Sequence, residues 1–359
     1  MSTDTEEWLF ACALNPNDPR RFETETMLKR VHNTLQIPGL EAELLSVSHW
    51  YVNALCAEQY RSKVSSGRVF LVGDAAHRIP PWGALGLNTG IQDVHNLVWK
   101  LNFAINAPQS DLLSQLKPTF SDLLDTYDVE RRPIGQRVGI TSLRNLRQHS
   151  TVMENALGIR LSNSEAENRA AMNSYVNQEE TGTGREIRLA VDRAQKILDQ
   201  EFHALGAEIG WFYPNLDLDG EGAATRHDGQ LNEDGELDTL YYYPSTIPGH
   251  HLPHAWLENR DGKRLSTRDM IRYDGFILVT SAPDLWMDAV SPFRKGDSEL
   301  LSLVSINDSN RTLLAGADAT DWRDVEGKWA SVRGVSRTGA VLVRPDGIVV
   351  WRAKKYEEH

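Results

Sequence analysis

The sequence predicts a mixed α/β (α+β) fold of two or three domains. Short β-branched and apolar runs, typical of strands, occur at residues 69–72, 276–279, 300–306 and 340–343. Apolar residues recur at helical spacing between residues 91 and 105. A chain of 359 residues is long enough for two or three domains, each with its own core.

The composition excludes several functional classes. Lys and Arg total 38 against 50 Asp and Glu, and the net charge of −12 disfavours binding to nucleic acid or to an anionic membrane. No apolar run approaches the roughly 20 residues that a membrane-spanning helix requires. The two cysteines, Cys12 and Cys56, provide neither a disulfide framework nor a Cys-rich zinc site. The acidic N-terminus lacks the features of a signal peptide, so we expect a cytoplasmic protein.

The first segment of the chain reads as part of a sheet. An apolar run at residues 8–14, a helical pattern at residues 23–35 and a strand-like run at residues 44–52 predict strands covered by one helix. The patterns divide the whole chain into four segments: residues 1–66, 67–205, 206–240 and 241–359.

A strand, a loop and a helix open the second segment. The strand at residues 69–72 is followed by a loop rich in Pro and Gly at residues 80–90, and we expect Asn88 or Thr89 to cap the next helix. A second helix is predicted through residues 123–138, kinked or divided at Pro133. Polar helices follow up to residue 205.

The last two segments differ in character. Residues 206–240 are acidic and rich in Gly, which predicts a surface loop or linker. Residues 241–359 contain three of the strand candidates and predict a small α/β domain. Arg-Pro-Asp-Gly at residues 344–347 indicates a hairpin turn between the strand at 340–343 and the apolar run at 348–351.

The loop after the first strand has the chemistry of a ligand site. Asp74 follows the carboxyl end of that strand, where ligands of open α/β sheets bind, and its carboxylate can accept hydrogen bonds from a polyol. Gly83, Ala84 and Gly86 let the backbone approach a flat ligand closely. The free N–H groups of the next helix add a positive dipole end. This arrangement suits a ring system with negative charge on one edge, such as a reduced flavin, although Asp74 could instead cap a turn.

The second segment contains a series of short motifs at fixed spacing: Gly73-Asp74, Pro80-Pro81, Gly86-Leu87-Asn88, Asp93, Asn96-Leu97 and Trp99-Lys100-Leu101. This series resembles the second FAD-binding motif of flavin-dependent aromatic hydroxylases of the p-hydroxybenzoate, phenol and 2,4-dichlorophenol monooxygenase type. Residues 248–257 and 343–347 are similar to the thioredoxin-like domain of the phenol and dichlorophenol hydroxylase branch. The resemblance implies a partial FAD/NAD(P)-binding monooxygenase fold followed by a thioredoxin-like domain. That domain contains no Cys-x-x-Cys, which excludes dithiol chemistry.

The resemblance also implies roles for individual residues. Pro81 would lie near the flavin C4a position, and His77 lies in the flavin-facing loop, where it either acts in catalysis or packs structurally. No metal site is expected, because His250, His251 and His254 match a structural lead-in of the family. The residues implied to bind the cofactor are Gly73, Asp74, Pro81, Gly83, Gly86, Leu87 and Asn88.

The chain departs from the family in one large feature, because it contains no G-x-G-x-x-G motif to hold the ADP half of FAD. The nearest string is Gly182-Thr183-Gly184. It follows no predicted strand, and it lacks the third glycine. The sequence therefore predicts the C-terminal portion of such a hydroxylase, beginning inside the substrate-binding sheet, with FAD binding weak or lost. The partners expected are a second copy of the chain, in a homodimer, or a partner chain that supplies the missing nucleotide-binding half.

The predicted function is FAD-dependent hydroxylation of a small phenolic or other aromatic substrate, polyketide-derived compounds included, with NAD(P)H and O₂. One alternative is a flavin-free isomerase, cyclase or hydrolase in which Asp74 or His77 acts as acid or base. Another is a non-catalytic subunit that requires a partner chain.

Overall fold

The structure, a computed structural model, contains two separate units, Met1–Val52 and Asn53–His359, which are described one at a time. The first contains one described α-helix, and the second contains the remaining helices and all the strands among the described residues. The residues that the structure describes are 7–12, 17, 19–64, 67–106, 119–149, 151–160, 162–177, 182–293, 300–308 and 321–357.

The first unit contains the predicted helix but not the predicted strands. Helix α1 spans Thr24–Leu35 and buries Met27. The strand predicted at residues 44–52 is wrong, since this stretch forms no strand and Tyr51 is 73 % exposed. A strand needs a neighbouring strand with which to form hydrogen bonds, and the described residues of this unit contain no strand that could pair with residues 44–52. In the apolar run predicted at residues 8–14, positions 13 and 14 lie outside the described residues.

Two long helices form the framework of the second unit. Helix α2 spans Leu85–Asn106, so the prediction that Asn88 or Thr89 caps it is wrong. The Thr89 hydroxyl donates to the Leu85 carbonyl at 2.8 Å, inside the first turn. Helix α3 spans Thr119–His149 and continues through Pro133, which does not divide it. Packing along α2 offsets the roughly 3 kcal/mol that an interior proline costs.

The segment before α2 is extended but pairs weakly. Strands β1, Leu55–Cys56, and β2, His77–Arg78, form an antiparallel pair. The strand predicted at residues 69–72 is wrong, because this stretch makes one isolated bridge, between Phe70 and Arg61. Backbone hydrogen bonds from Ser62 to Val69 and from Leu71 to Tyr60, at 2.9 and 2.8 Å, keep it extended.

The polar helices predicted after α3 are confirmed. Residues 206–240 add short helical turns. Most of residues 214–240 are exposed or half-buried, as predicted for a surface segment. Gln230 is the contrast, since it is fully buried and its side-chain amide donates to the Asp238 and Tyr241 carbonyls. No helix in the described part of the chain is long and apolar enough to cross a membrane. The helices of this region are α4 (Val152–Leu157), α5 (Glu165–Val176), α6 (Thr183–Asp199), α7 (Leu205–Glu208) and α8 (Glu221–Thr225).

The C-terminal segment forms a mixed sheet of seven described strands. Its elements are β3 (Trp256–Glu258), β4 (Arg264–Ser266), β5 (Phe276–Thr280), α9 (Pro283–Val290), β6 (Leu301–Asn307), β7 (Asp321–Asp324), α10 (Lys328–Val332), β8 (Ala340–Val343) and β9 (Val349–Ala353). The strand order is β4-β3-β7-β6-β5-β8-β9. Parallel β5 and β6 lie beside the antiparallel hairpin of β8 and β9, which agrees with a thioredoxin-like arrangement. The predicted hairpin turn is confirmed, and Gly347 takes a φ of 76° in it.

One glycine joins this sheet to the helical part. Gly249 donates its N–H to Val349 at 2.7 Å and accepts the Tyr213 N–H at 3.0 Å. Its φ is 96°, and a Cβ placed on it would lie 2.2 Å from the Tyr213 carbonyl oxygen. Only glycine allows this approach.

We expect Gly249→Ala to destabilise the protein far more than Gly262→Ala. Both glycines have positive φ, but nothing lies within 4 Å of a Cβ on Gly262. The left-handed backbone costs each variant about 1–2 kcal/mol, and the clash adds about 1–3 kcal/mol in Gly249→Ala alone. Urea unfolding of both variants checks this, and equal losses would contradict the close approach.

Candidate functional site

The site begins with a tight turn packed on α2. Gly73–Ala75 forms one 3-10 turn, and Gly73 has a φ of 55°. A Cβ on Gly90 would lie 3.0 Å from the Gly73 Cα, so two glycine backbones meet where the turn contacts the first part of α2. This contact places Asp74 beside the N-terminal region of the helix. Asp74 is exposed, and its carboxylate has no hydrogen-bond partner among the described residues.

The loop between the turn and α2 is shaped by unusual backbone angles. Gly83 and Ala84 have φ values of 101° and 53°, and the Ala84 N–H bonds the Pro81 carbonyl at 3.3 Å. A left-handed alanine is strained, which is common at ligand sites. Pro81 is exposed while Pro80 is buried, so only one of the two prolines faces solvent.

The first turn of α2 faces solvent as well. Gly86 is half-buried, Asn88 is exposed and Leu87 is 78 % exposed. The first four N–H groups of a helix have no partner within it and carry the positive end of its dipole. The predicted cofactor-binding residues are therefore all exposed or half-buried. Their roles remain predictions.

His77 lies in a different environment from these residues. It is 2 % exposed, and its Nε2 is 2.7 Å from Asp93 Oδ2. Its Nδ1 is buried without a hydrogen-bond partner. This geometry favours the structural packing role over the acid–base role, since the ring does not reach solvent.

The Asp93 carboxylate holds the Gly73–Ala75 turn by hydrogen bonds on its buried side. Besides His77, it accepts the Gly73 N–H at 3.1 Å and the Arg131 Nε–H at 2.8 Å. Arg131 also donates to the Thr89 carbonyl at 3.2 Å. The sequence motif included Asp93 without a role for its side chain. The signal that it faces the core is its spacing from Asn96 and Lys100 along one face of the helix.

A second buried carboxylate, Glu130, lies next to Arg131 in the chain. It accepts hydrogen bonds from Asn96 at 2.7 Å, from Lys100 at 2.9 Å and from both terminal nitrogens of Arg344 at 2.8 and 2.6 Å. Burial raises the pKa of Glu130, but Arg344 and Lys100 outweigh it and bring the pKa to about 2. Burial also lowers the pKa of Lys100 to about 8, against the pull of Glu130.

The histidines of the C-terminal lead-in pack with one another and with aromatic rings. His227 Nδ1 is 3.0 Å from His250 Nε2, and both rings stack on Phe212. Burial, with His227 and Arg352 nearby, lowers the pKa of His250 to about 3. Among the described residues no three His, Cys, Asp or Glu side chains form a group that could hold a metal ion.

The described residues fit one half of FAD better than the other. The exposed Asp74, Pro81 and helix N-terminus suit a flat ring and a polyol chain. Gly182, in the string nearest to a pyrophosphate motif, has a φ of 63° and precedes α6 without a strand before it. A glycine-rich turn between a strand and a helix, which holds a pyrophosphate, is not found in the described part of the chain.

We expect acid to destabilise the wild type more than Glu130→Gln. The folded-state pKa of Glu130 lies below its ordinary value, so its stabilisation is complete above pH 4.5 and is lost as the pH falls to about 2. The difference amounts to about 3 kcal/mol at about 1.4 kcal/mol per pKa unit. Urea unfolding of both proteins between pH 5 and pH 2, in steps of roughly half a unit, measures it. Parallel pH dependences would contradict the expectation.

Comparison with known proteins agrees with this geometry. Residues 1–141 match the family model described as an FAD binding domain, and residues 245–359 match the model of the aromatic-ring hydroxylase C-terminal domain. Phenol 2-monooxygenase of a Pseudomonas species is 31 % identical over 97 % of this chain and 52 % of its own length. Tetracenomycin A2 monooxygenase-dioxygenase of Streptomyces glaucescens is 31 % identical over 99 % of this chain and 50 % of its own.

Solved structures show the same relationship. The flavin-dependent monooxygenase PieE, in complex with FAD and substrate, superposes with a TM-score of 0.72 at 31 % identity, over 96 % of this chain and 53 % of PieE. Aklavinone-11 hydroxylase, at 23 % identity and a TM-score of 0.60 over 95 % of this chain and 50 % of its own, shares the fold. The chain spans about half the length of the relatives it matches. Residues 1–141 and 245–359 thus match an FAD binding domain and an aromatic-ring hydroxylase C-terminal domain, and the chain is similar to about half of each flavin-dependent hydroxylase that it matches.

Proposed function

We propose that this chain provides the flavin-facing part of an FAD-dependent monooxygenase that hydroxylates a phenolic or other aromatic substrate with NAD(P)H and O₂. The proposal rests on the exposure of Asp74, Pro81 and the first turn of α2. The contact between the backbones of Gly73 and Gly90 holds the turn that contains Asp74 against α2. The named activities of the relatives support the reaction class. The name of a further relative, a putative polyketide hydroxylase of Streptomyces halstedii, supports extending the class to polyketide-derived substrates.

Each exposed residue has a distinct part in this proposal. Asp74 accepts hydrogen bonds from the ribityl hydroxyls. The backbone N–H groups of Leu87 and Asn88 face the pyrimidine edge of the ring, where the helix dipole favours negative charge. Pro81 covers the ring near its reactive position, and Gly83 and Gly86 leave room for the ring. The bound flavin supplies the electron transfer and the activation of O₂.

A second protein surface supports the proposal of a further nucleotide-binding part. The outer face of α2 exposes aliphatic side chains at helical spacing, among them Ile91 at 57 % and Val98 at 55 % exposure. A face of this kind normally marks a protein interface. We assign this face to a nucleotide-binding part contributed by a partner chain, with a second copy of this chain as the alternative occupant. The residues of this face are Leu87, Ile91, Val94, Val98 and Ile105.

The flavin-free alternative has less support. His77, one of its two acid–base candidates, is buried against Asp93, while Asp74 is accessible.

A cytoplasmic location stays a prediction; Cys12 and Cys56 are both free thiols, as expected in a reducing compartment.

We expect Asp74→Ala to weaken riboflavin binding roughly tenfold to a hundredfold, the usual cost of a hydrogen bond to a charged group. Asp122→Ala is the matched control, because Asp122 is an exposed acid on the first turn of α3. Fluorescence titration of riboflavin into both variants and the wild type gives the affinities. Equal affinities in all three would remove Asp74 from the site.

We expect FAD, FMN and riboflavin to bind this chain with affinities within about tenfold of one another, a difference of about 1.4 kcal/mol. The ADP half finds no glycine-rich turn in the described residues, so it adds little. Calorimetry with the three ligands tests this. An FAD affinity about a hundredfold above that of riboflavin, or about 2.7 kcal/mol, would require a pyrophosphate site in this chain or in a second copy of it.

A further inference from the structure

We propose that Arg344, on the β8–β9 hairpin turn, is a positioning residue for the flavin-facing turn at Gly73 and Asp74. The inference rests on the proposed function, because it assigns that site a support within the C-terminal domain. The support is a continuous chain of buried hydrogen bonds, which we name the buried ion network: Asp93, Asn96, Lys100, Glu130, Arg131, Tyr213, Arg344 and Asp346.

The first link joins the C-terminal hairpin to α3. The Arg344 guanidinium makes two hydrogen bonds to the Glu130 carboxylate and two to Asp346, at 2.7 and 2.9 Å, within its own turn. Its planar fork satisfies two carboxylates at once, which an ammonium group does not reproduce. Arg344 thereby fixes the orientation of the Glu130 carboxylate.

The second link passes from Glu130 to its chain neighbour Arg131. The Asn96 amide donates to Glu130 and lies 3.3 Å from the Tyr213 hydroxyl. The same hydroxyl receives a hydrogen bond from Arg131 at 3.1 Å, and the Arg344 guanidinium lies over the Tyr213 ring at 5.4 Å. Tyr213 therefore contacts both cations, and a shift of Arg344 alters the position of the hydroxyl that holds Arg131.

The third link reaches the turn itself. Arg131 donates to one oxygen of Asp93, and the other oxygen accepts the Gly73 N–H and contacts His77. Because Asp74 directly follows Gly73, the hydrogen bond from the Gly73 N–H to Asp93 also fixes the direction of the backbone at Asp74. The network thus extends from residue 344 to the first residue of the flavin-facing turn.

Burial along the network explains why it transmits position. Asp93 and Arg131 are 0 % exposed and Arg344 is 4 % exposed, so none of them exchanges its partners for water. A buried ion network is not needed for stability as such, since apolar residues of similar volume often serve as well. It instead fixes directions, because each group has its hydrogen bonds in only one arrangement.

The test compares Arg344→Lys with Arg352→Lys in the full chain. Arg352 lies on β9 with a side chain that is 6 % exposed, and it donates to Glu221 at 3.0 Å. It belongs to the same domain as Arg344 but not to the network. Arg344→Gln serves as a second variant, and Lys100 still balances Glu130 in both Arg344 variants. The first readout is amide hydrogen exchange of the peptide that contains Gly73, with strand β8 as internal reference. It requires no flavin.

We expect Arg344→Lys to speed exchange at Gly73 at least tenfold without a matching change in β8, and Arg352→Lys to leave it unchanged. Unchanged exchange at Gly73 in both Arg344 variants, or equal acceleration in Arg352→Lys, would overturn the inference. The second readout is the visible circular dichroism and affinity of bound riboflavin, which should change in Arg344→Lys alone. If the wild type binds no riboflavin, the proposed function fails while the exchange data still decide the positioning role.

Discussion

The structure depends on two neighbouring residues of α3, Glu130 and Arg131, which carry opposite charges into the core. An isolated buried charge costs several kcal/mol even after relaxation, so each needs partners that are themselves buried and correctly oriented. Glu130 finds them in Asn96, Lys100 and Arg344, and Arg131 finds them in Asp93 and Tyr213. These pairs join α2, α3 and the C-terminal sheet, because each of the three elements contributes a charged residue to them.

This pairing connects the C-terminal domain to the helical part of the chain. Gly249 binds the sheet to the segment that carries Tyr213, and Arg344 binds the hairpin to α3. Both connections end at residues that also touch the network beneath the Gly73 turn. The hairpin at the edge of this sheet thereby belongs to the hydrogen-bonded network that reaches the Gly73 turn in another part of the chain.

Local patterns in the sequence predicted what local interactions determine. The C-terminal strands and the Arg-Pro-Asp-Gly hairpin follow from short-range propensity and turn geometry, and the structure has them. The strand predicted at residues 44–52 failed because pairing with a neighbour, not propensity, makes a strand. The start of α2 predicted at Asn88 or Thr89 lies too late in the chain, because the Thr89 hydroxyl donates to the Leu85 carbonyl inside the helix instead of capping it. The ion network was not predicted, because its partners lie up to 250 positions apart along the chain.

Helix α2 departs from the usual pattern of a surface helix. Its buried face carries the charged Asp93 and Lys100 as well as apolar residues such as Trp99, while Ile91 and Val98 are exposed on the other side. A helix at the boundary between one core and water would bury its aliphatic side chains and expose its charges. The buried charges are stable only where they are paired, as they are in the buried ion network, and an exposed aliphatic face is favourable only where it meets another surface. Helix α2 thus has the pattern of a helix that packs between two layers, and the turn at Gly73 contacts its first part.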